Sequence, residues 1–118
     1  MREPARDKER LENIKEACQI IVEQLKNETL NELTNNPIKF YGYVKLVEII
    51  GEAVYKMTKD FKAEHPNIPW RMMEGMRHVL VHDYYRISPE KLWGTMNSDI
   101  PELLPVIENL LANWNTTE

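Results

Sequence analysis

Seven prolines punctuate a chain of 118 residues that carries only four glycines. Between those prolines lie long runs in which apolar side chains return every three or four positions. Such runs leave no room for the frequent turns of a many-stranded fold, so the spacing predicts an all-α chain. The length suits one domain, spanning 1–118 with its core at about 7–114, large enough to bury a hydrophobic core without staples. An apolar share of 42% and a charged share of 29% are ordinary for a globular protein and argue against wholesale disorder. Cys18 is the sole cysteine, which rules out an intrachain disulfide and a cysteine-rich metal site.

The segment Met1-Arg2-Glu3-Pro4-Ala5-Arg6-Asp7 is too polar for a signal peptide. No apolar run approaches the roughly 20 residues that a membrane span requires. A soluble, cytoplasmic protein is therefore expected, with no membrane partner. The net charge of −4 does not advertise a nucleic-acid binder. Contact with RNA would have to come from a local basic cleft and not from the overall field.

Taken in order, Leu11, Ile14, Cys18, Ile21 and Leu25 predict a first amphipathic helix over about 7–28, with Cys18 in its buried stripe. Residues 31–36 carry turn chemistry, and Asn36-Pro37 reads as a cap followed by proline in the first helical position. A second helix is predicted from Pro37 to about residue 63, roughly 40 Å at 1.5 Å per residue. Its apolar groups cover more than half the circumference, which predicts packing partners on two sides and points to a second subunit. Lys45, Glu48, Glu52 and Lys59 hold the polar arc. Gly51 costs that helix ~1 kcal/mol relative to alanine, a cost explained by close approach of another helix. His65, in the Glu64-His65-Pro66-Asn67-Ile68-Pro69 loop, is expected at the surface. Pro69 opens a third helix to about residue 85, and Ser88-Pro89 caps a fourth to about Met96. Asp99-Ile100-Pro101-Glu102 resembles a capping box for a fifth helix, which Pro105 would break or delay.

The third helix carries an anomaly. In Arg77-His78-Val79-Leu80-Val81-His82-Asp83-Tyr84, a guanidinium, two imidazoles, a carboxylate and a phenol fall within eight residues. On a helical wheel Met72, Met73, Met76, Val79 and Leu80 form one apolar face. Arg77 lies between Trp70, Val81 and Tyr84, and Asp83 lies beside Met72 and Met76. An unpaired buried charge costs several kcal/mol, so each must meet a partner or face a cleft. One reading is a structural ion pair between Arg77 and Asp83; the other is a catalytic cluster. His78 and His82 stand one turn apart, but no glutamate follows His78 as in His-Glu-x-x-His and no third ligand is evident, so no metal is expected. No Gly-rich phosphate loop and no nucleophile elbow occur, and no cofactor is implied.

Arg77 to Tyr84 matches the Arg-x4-His-x-Tyr motif, and here the chain resembles the HepT-like toxins of the HEPN superfamily. Leu46-Val47-Glu48-Ile49-Ile50-Gly51-Glu52-Ala53 is similar to that family's second-helix signature. His65 to Trp70 and Gly75-Met76-Arg77 are similar to its approach to the motif, and Leu92-Trp93 with Asp99 to Leu103 to its C-terminal part. The likeness covers roughly residues 7–114. It implies an antiparallel helical bundle of about five helices, dimerising through the long second and motif-bearing third helices, with a nuclease cleft between subunits. It further implies a metal-independent endoribonuclease toxin acting on RNA, paired with a nucleotidyltransferase antitoxin of the MNT type. Arg77 and His82 carry over as the catalytic pair, and Tyr84 as the tyrosine that such an antitoxin modifies with AMP. His78 stands where the family commonly has asparagine, and Pro105 departs from the common pattern.

The residue types suit that chemistry. Metal-free RNA cleavage needs a base for the 2′-hydroxyl, an acid for the leaving 5′-oxygen and a cation for the phosphorane. Histidine titrates in the right range, and arginine offers phosphate a fork of donors. Arg77 and His82 are about 140° apart on one helix, so a two-fold interface supplying both residues from two chains is expected. His78, Asp83 and Glu52 are the expected supporting groups: Glu52 either orients Arg77 or a histidine, or is a solvated neighbour of Lys56. The competing reading is a non-catalytic helical dimer that binds or regulates a nucleotidyltransferase, in keeping with the acidic net charge.

Overall fold

The computed structural model describes residues 5–82 and 88–114, with side chains described at 6–77 and 88–114. Helices occupy Ala5–Leu25 (α1), Leu30–Asn35 (α2), Pro37–Lys56 (α3), Lys59–Glu64 (α4), Trp70–His82 (α5), Pro89–Gly94 (α6) and Ile100–Ala112 (α7). A π-helical turn, Thr95–Asp99, joins α6 to α7, and no strand occurs among the described residues. The expected all-α architecture is the one observed.

The α1 stripe is buried as its periodicity predicts, with Leu11, Ile14, Cys18 and Ile21 all fully inaccessible. It lies against α3 and α7. From α3 come Val47, Ile50 and Val54, from α5 Met73 and Met76, and from the C-terminal helices Met96, Ile100, Leu103 and Ile107. Each fully buried aliphatic side chain contributes roughly 1.5–3 kcal/mol, so this cluster holds the bundle together. Met72, expected on the buried face of α5, is instead 40% exposed.

Local chemistry sets most of the boundaries. Asn36 accepts a hydrogen bond from the Lys39 amide and Ser88 from the Lys91 amide, with proline next in both cases. Where residues 31–36 are expected as a turn, 31–35 belong to helix α2 and Asn36 caps its end. Thr29 caps it by accepting from the Glu32 amide at 3.1 Å, and Leu33 anchors it in the core.

Three further expectations are corrected. The helix predicted over 37–63 is two helices, because Met57 leaves helical geometry and Thr58 starts α4 by accepting from the Phe61 amide. The carboxylate of Asp7, almost fully buried on α1, takes the Thr58 amide at 3.0 Å and its hydroxyl at 2.6 Å. That acceptor offers Thr58 an alternative to the helical ladder. Asp99 caps nothing: its backbone is helical and its side chain makes no capping bond. Instead the Ile100 amide reaches back five residues to the Thr95 carbonyl. Pro101 has no N–H and its ring would crowd the Asn97 carbonyl in a regular helix; the wider turn relieves that crowding. Asn97 Nδ2 meanwhile donates to the Trp93 carbonyl at 2.8 Å. Finally, α7 runs through Pro105 without a break.

The broad apolar surface of α3 is used largely within the chain, against α5, α1 and α2. Its breadth therefore does not by itself require a second subunit. Ile38, 87% exposed, and Tyr41, 43% exposed, are the α3 apolar groups left most open. His65, expected as plain surface, stacks on Phe61 with ring centroids 4.6 Å apart. Its carbonyl, with that of Lys62, accepts the Trp70 indole N–H and so docks the start of α5.

Candidate functional site

The site is built where α3 crosses α5. Gly51 makes the crossing possible: a Cβ there would stand 2.9 Å from Cα and 2.8 Å from Cβ of Arg77, inside any real contact distance. The close approach expected of Gly51 is thus to α5 of the same chain.

Because the backbones meet at that point, the residues just beyond Gly51 reach the Arg77 guanidinium. Arg77 Nε donates to Glu52 Oε2 at 2.6 Å. One turn further along α3, Tyr55 lays its ring against the guanidinium, whose carbon lies 4.1 Å from the ring centroid. Glu52 and Tyr55 are spaced i, i+3, so one helical face supplies both contacts. The Arg77 and Glu52 side chains are 26% and 39% exposed, and solvent screening keeps the stabilising value of such a pair small. Their main effect is orientation. A charge-assisted bond on one edge and an aromatic face below leave the guanidinium few positions. The bond to Glu52 uses Nε, so the two terminal nitrogens lie outside it. That is the edge which offers parallel donors to a phosphate.

The other expected site residues stand further along α5. His78 and His82 lie on its described backbone. His82, five residues beyond Arg77, is displaced by about 7.5 Å and 140° in ideal helix geometry. Asp83 and Tyr84 lie outside the described residues, and so does the anticipated pairing of Arg77 with Asp83. The partners that the structure gives Arg77 are Glu52 and Tyr55. Tyr55 was not among the expected residues. Its signal was present in the i, i+3 spacing from Glu52, one turn beyond a helical glycine that marks a close crossing.

Comparison with known proteins identifies the family. A family model described as HepT-like, ribonuclease HepT-like, matches residues 14–110. A Thermococcus cleftensis protein named "Probable ribonuclease HepT" is 37% identical over 103 residues, covering 87% of this chain and 94% of its own. A Methanocaldococcus jannaschii protein named a "Putative RNase" is 36% identical over 111 residues, covering 93% of this chain and 92% of its own. Another so named, from Caldanaerobacter subterraneus subsp. tengcongensis, is 33% identical over 101 residues, covering 86% and 90%. No solved structure matches. With the family model spanning the core and the relatives covering almost their whole length, the chain belongs to the HepT-like ribonuclease family.

Proposed function

We propose that this ribonuclease is an endoribonuclease toxin that cleaves RNA without a metal, using Arg77 and His82 in a cleft between two copies of the chain. The observation that carries this reading is the clamp on Arg77, with Nε held 2.6 Å from Glu52 and the guanidinium resting on Tyr55. A preoriented guanidinium stabilises charge as it develops on phosphate and needs no reorganisation during reaction. Its terminal nitrogens bind the non-bridging oxygens of the scissile phosphate. His82 of one copy takes the proton from the ribose 2′-hydroxyl, whose oxygen attacks phosphorus. The 5′-oxygen then leaves with a proton from His82 of the other copy. The products carry a 2′,3′-cyclic phosphate and a free 5′-hydroxyl. His78 and Asp83 stand on the same stretch as supporting groups.

The resemblance to the family supports the remaining elements. The toxin acts in the cytoplasm, and a nucleotidyltransferase antitoxin of the MNT type neutralises it by transferring AMP to the Tyr84 hydroxyl. An added phosphate ester two residues from His82 competes with RNA phosphate for the Arg77 cation.

The test is RNA cleavage by purified protein in EDTA. Wild type leaves 2′,3′-cyclic ends, and Arg77→Ala and His82→Ala each lose at least ~10²-fold in rate, as expected for loss of a preorganised charge stabiliser and of a general acid–base group respectively. Undiminished cleavage by both variants overturns the assigned roles. Light scattering on the eluting protein checks the shared cleft, which a monomer at assay concentration excludes. Incubation with the nucleotidyltransferase and ATP should add one AMP to the Tyr84 peptide. A modified protein whose label maps elsewhere refutes that assignment.

A further inference from the structure

A groove of about 300 Å³ opens between α1 and α3. Arg6 and Arg10 of α1 and Lys56 of α3 line it, with Glu9 and Glu52. Of the two lining acids, Glu52 is partly committed elsewhere. Glu52 Oε2 accepts from Arg77, and the neighbouring Asp7 uses both its oxygens on Thr58. Arg10 is steered by that same Asp7, its Nη1 lying 3.6 Å from Oδ1 with no acceptor at hydrogen-bond distance. Arg6, Arg10 and Lys56 outnumber Glu9 and Glu52 on this concave surface, so its lining carries a net positive charge in a chain whose net charge is −4. The volume is at the lower end of the range for small-ligand sites, about 300–1,000 Å³, which suits a single nucleotide-sized group. Glu52 is common to the groove and the Arg77 clamp, which makes the two neighbours.

From this we infer that the groove is a phosphate subsite: Arg6, Arg10 and Lys56 hold a backbone phosphate of single-stranded RNA next to the one that Arg77 binds. The inference rests on the ribonuclease reading and names where a longer substrate gains affinity. Contacts to a flanking phosphate carry no base information and act on register and binding.

The test uses full-length His82→Ala protein and a short fluorescein-labelled single-stranded RNA, with anisotropy followed against salt. Adding Arg6→Gln and Lys56→Gln together weakens binding about tenfold at moderate salt. It also lowers the slope of log K against log salt by roughly 0.7 for the one phosphate released. Lys26→Gln with Lys45→Gln removes two cations outside the groove and changes neither quantity by more than a fraction of that. Equal effects of the two pairs, or an unchanged slope in the groove pair, overturn the subsite. In a His82-intact background the groove pair should raise KM for the longer RNA and leave cleavage of a dinucleotide unchanged, since that substrate carries the scissile phosphate alone. Equal losses on both substrates overturn the subsite as well. Wild-type protein that binds RNA with the predicted groove dependence yet cleaves nothing refutes the ribonuclease reading and leaves the subsite standing. Cleavage with unaltered binding in the groove pair refutes only the subsite.

Discussion

At Gly51, helix propensity and packing make opposite demands, and the distances decide between them. Replacing a helical glycine by alanine gains ~1 kcal/mol of propensity. The added methyl would meet the backbone of Arg77, with Cα only 2.9 Å away, and a backbone cannot yield by changing rotamer. Overpacking costs about 1–3 kcal/mol, and a backbone neighbour puts the cost in the upper part of that range, so after the ~1 kcal/mol gain Gly51→Ala is expected to destabilise the fold by roughly 1–2 kcal/mol. Urea denaturation checks this, and an unchanged or higher midpoint would count against the crossing as drawn. RNA cleavage should fall further than the stability loss accounts for, because the methyl also moves Arg77. Cys18 illustrates the opposite case, a residue legible from pattern alone. It sits in the α1 stripe, and burial pushes its thiol up to about 12, which leaves it a core side chain with little thiolate. Glu52 was legible as a polar neighbour and Tyr55 was not. A wheel assigns faces within one helix, but not the residue of another helix that a face meets.

Among the elements, α3 is where periodicity and tertiary structure part. The apolar pattern runs unbroken from Pro37 past Phe61, and nothing within that stretch announces an end at Lys56. The stop comes from Asp7, fifty-one positions earlier, which accepts both the amide and the hydroxyl of Thr58. Asp7→Ala leaves that amide without its partner in a part-buried place and is expected to cost about 1–3 kcal/mol. Asp7→Asn keeps one acceptor oxygen and should cost clearly less. Chemical denaturation of the two variants checks the ranking, and equal losses would show that the amide bond is not what the carboxylate provides. At the other end, Pro101 was readable as part of a helix start but not as the neighbour of a π turn. The form of that start depended on whether the wider turn could keep Met96 and Ile100 in the core, and both are fully buried.

Across the whole molecule, the connection between α1 and α2 is tied to α3 by Glu28. It receives Lys39 Nζ at 3.0 Å and the Tyr43 hydroxyl at 2.9 Å. Burial alone would raise the Glu28 carboxyl, but the hydrogen bonds from Lys39 and Tyr43 and the Lys39 charge outweigh it, and the net shift is downward from 4.5. A carboxyl lowered in the folded state contributes stability above its unfolded value and loses it as pH falls through the folded value. Glu28→Gln should therefore lower the Tm at neutral pH, with the gap to wild type narrowing below about pH 4.5. A gap that stays constant across the acid range would assign the loss to packing instead. What the sequence by itself determined was the helical class, the caps at Asn36 and Ser88, the α1 stripe, and the misplaced charge at Arg77. These follow from contacts within a few residues and from a repeat that one strand of sequence carries. Only the tertiary structure decided where α3 ends, what Arg77 touches, and that Arg6, Arg10 and Lys56 share a groove. Those depend on which side chains from distant stretches arrive at the same place, and helical periodicity holds no information about that.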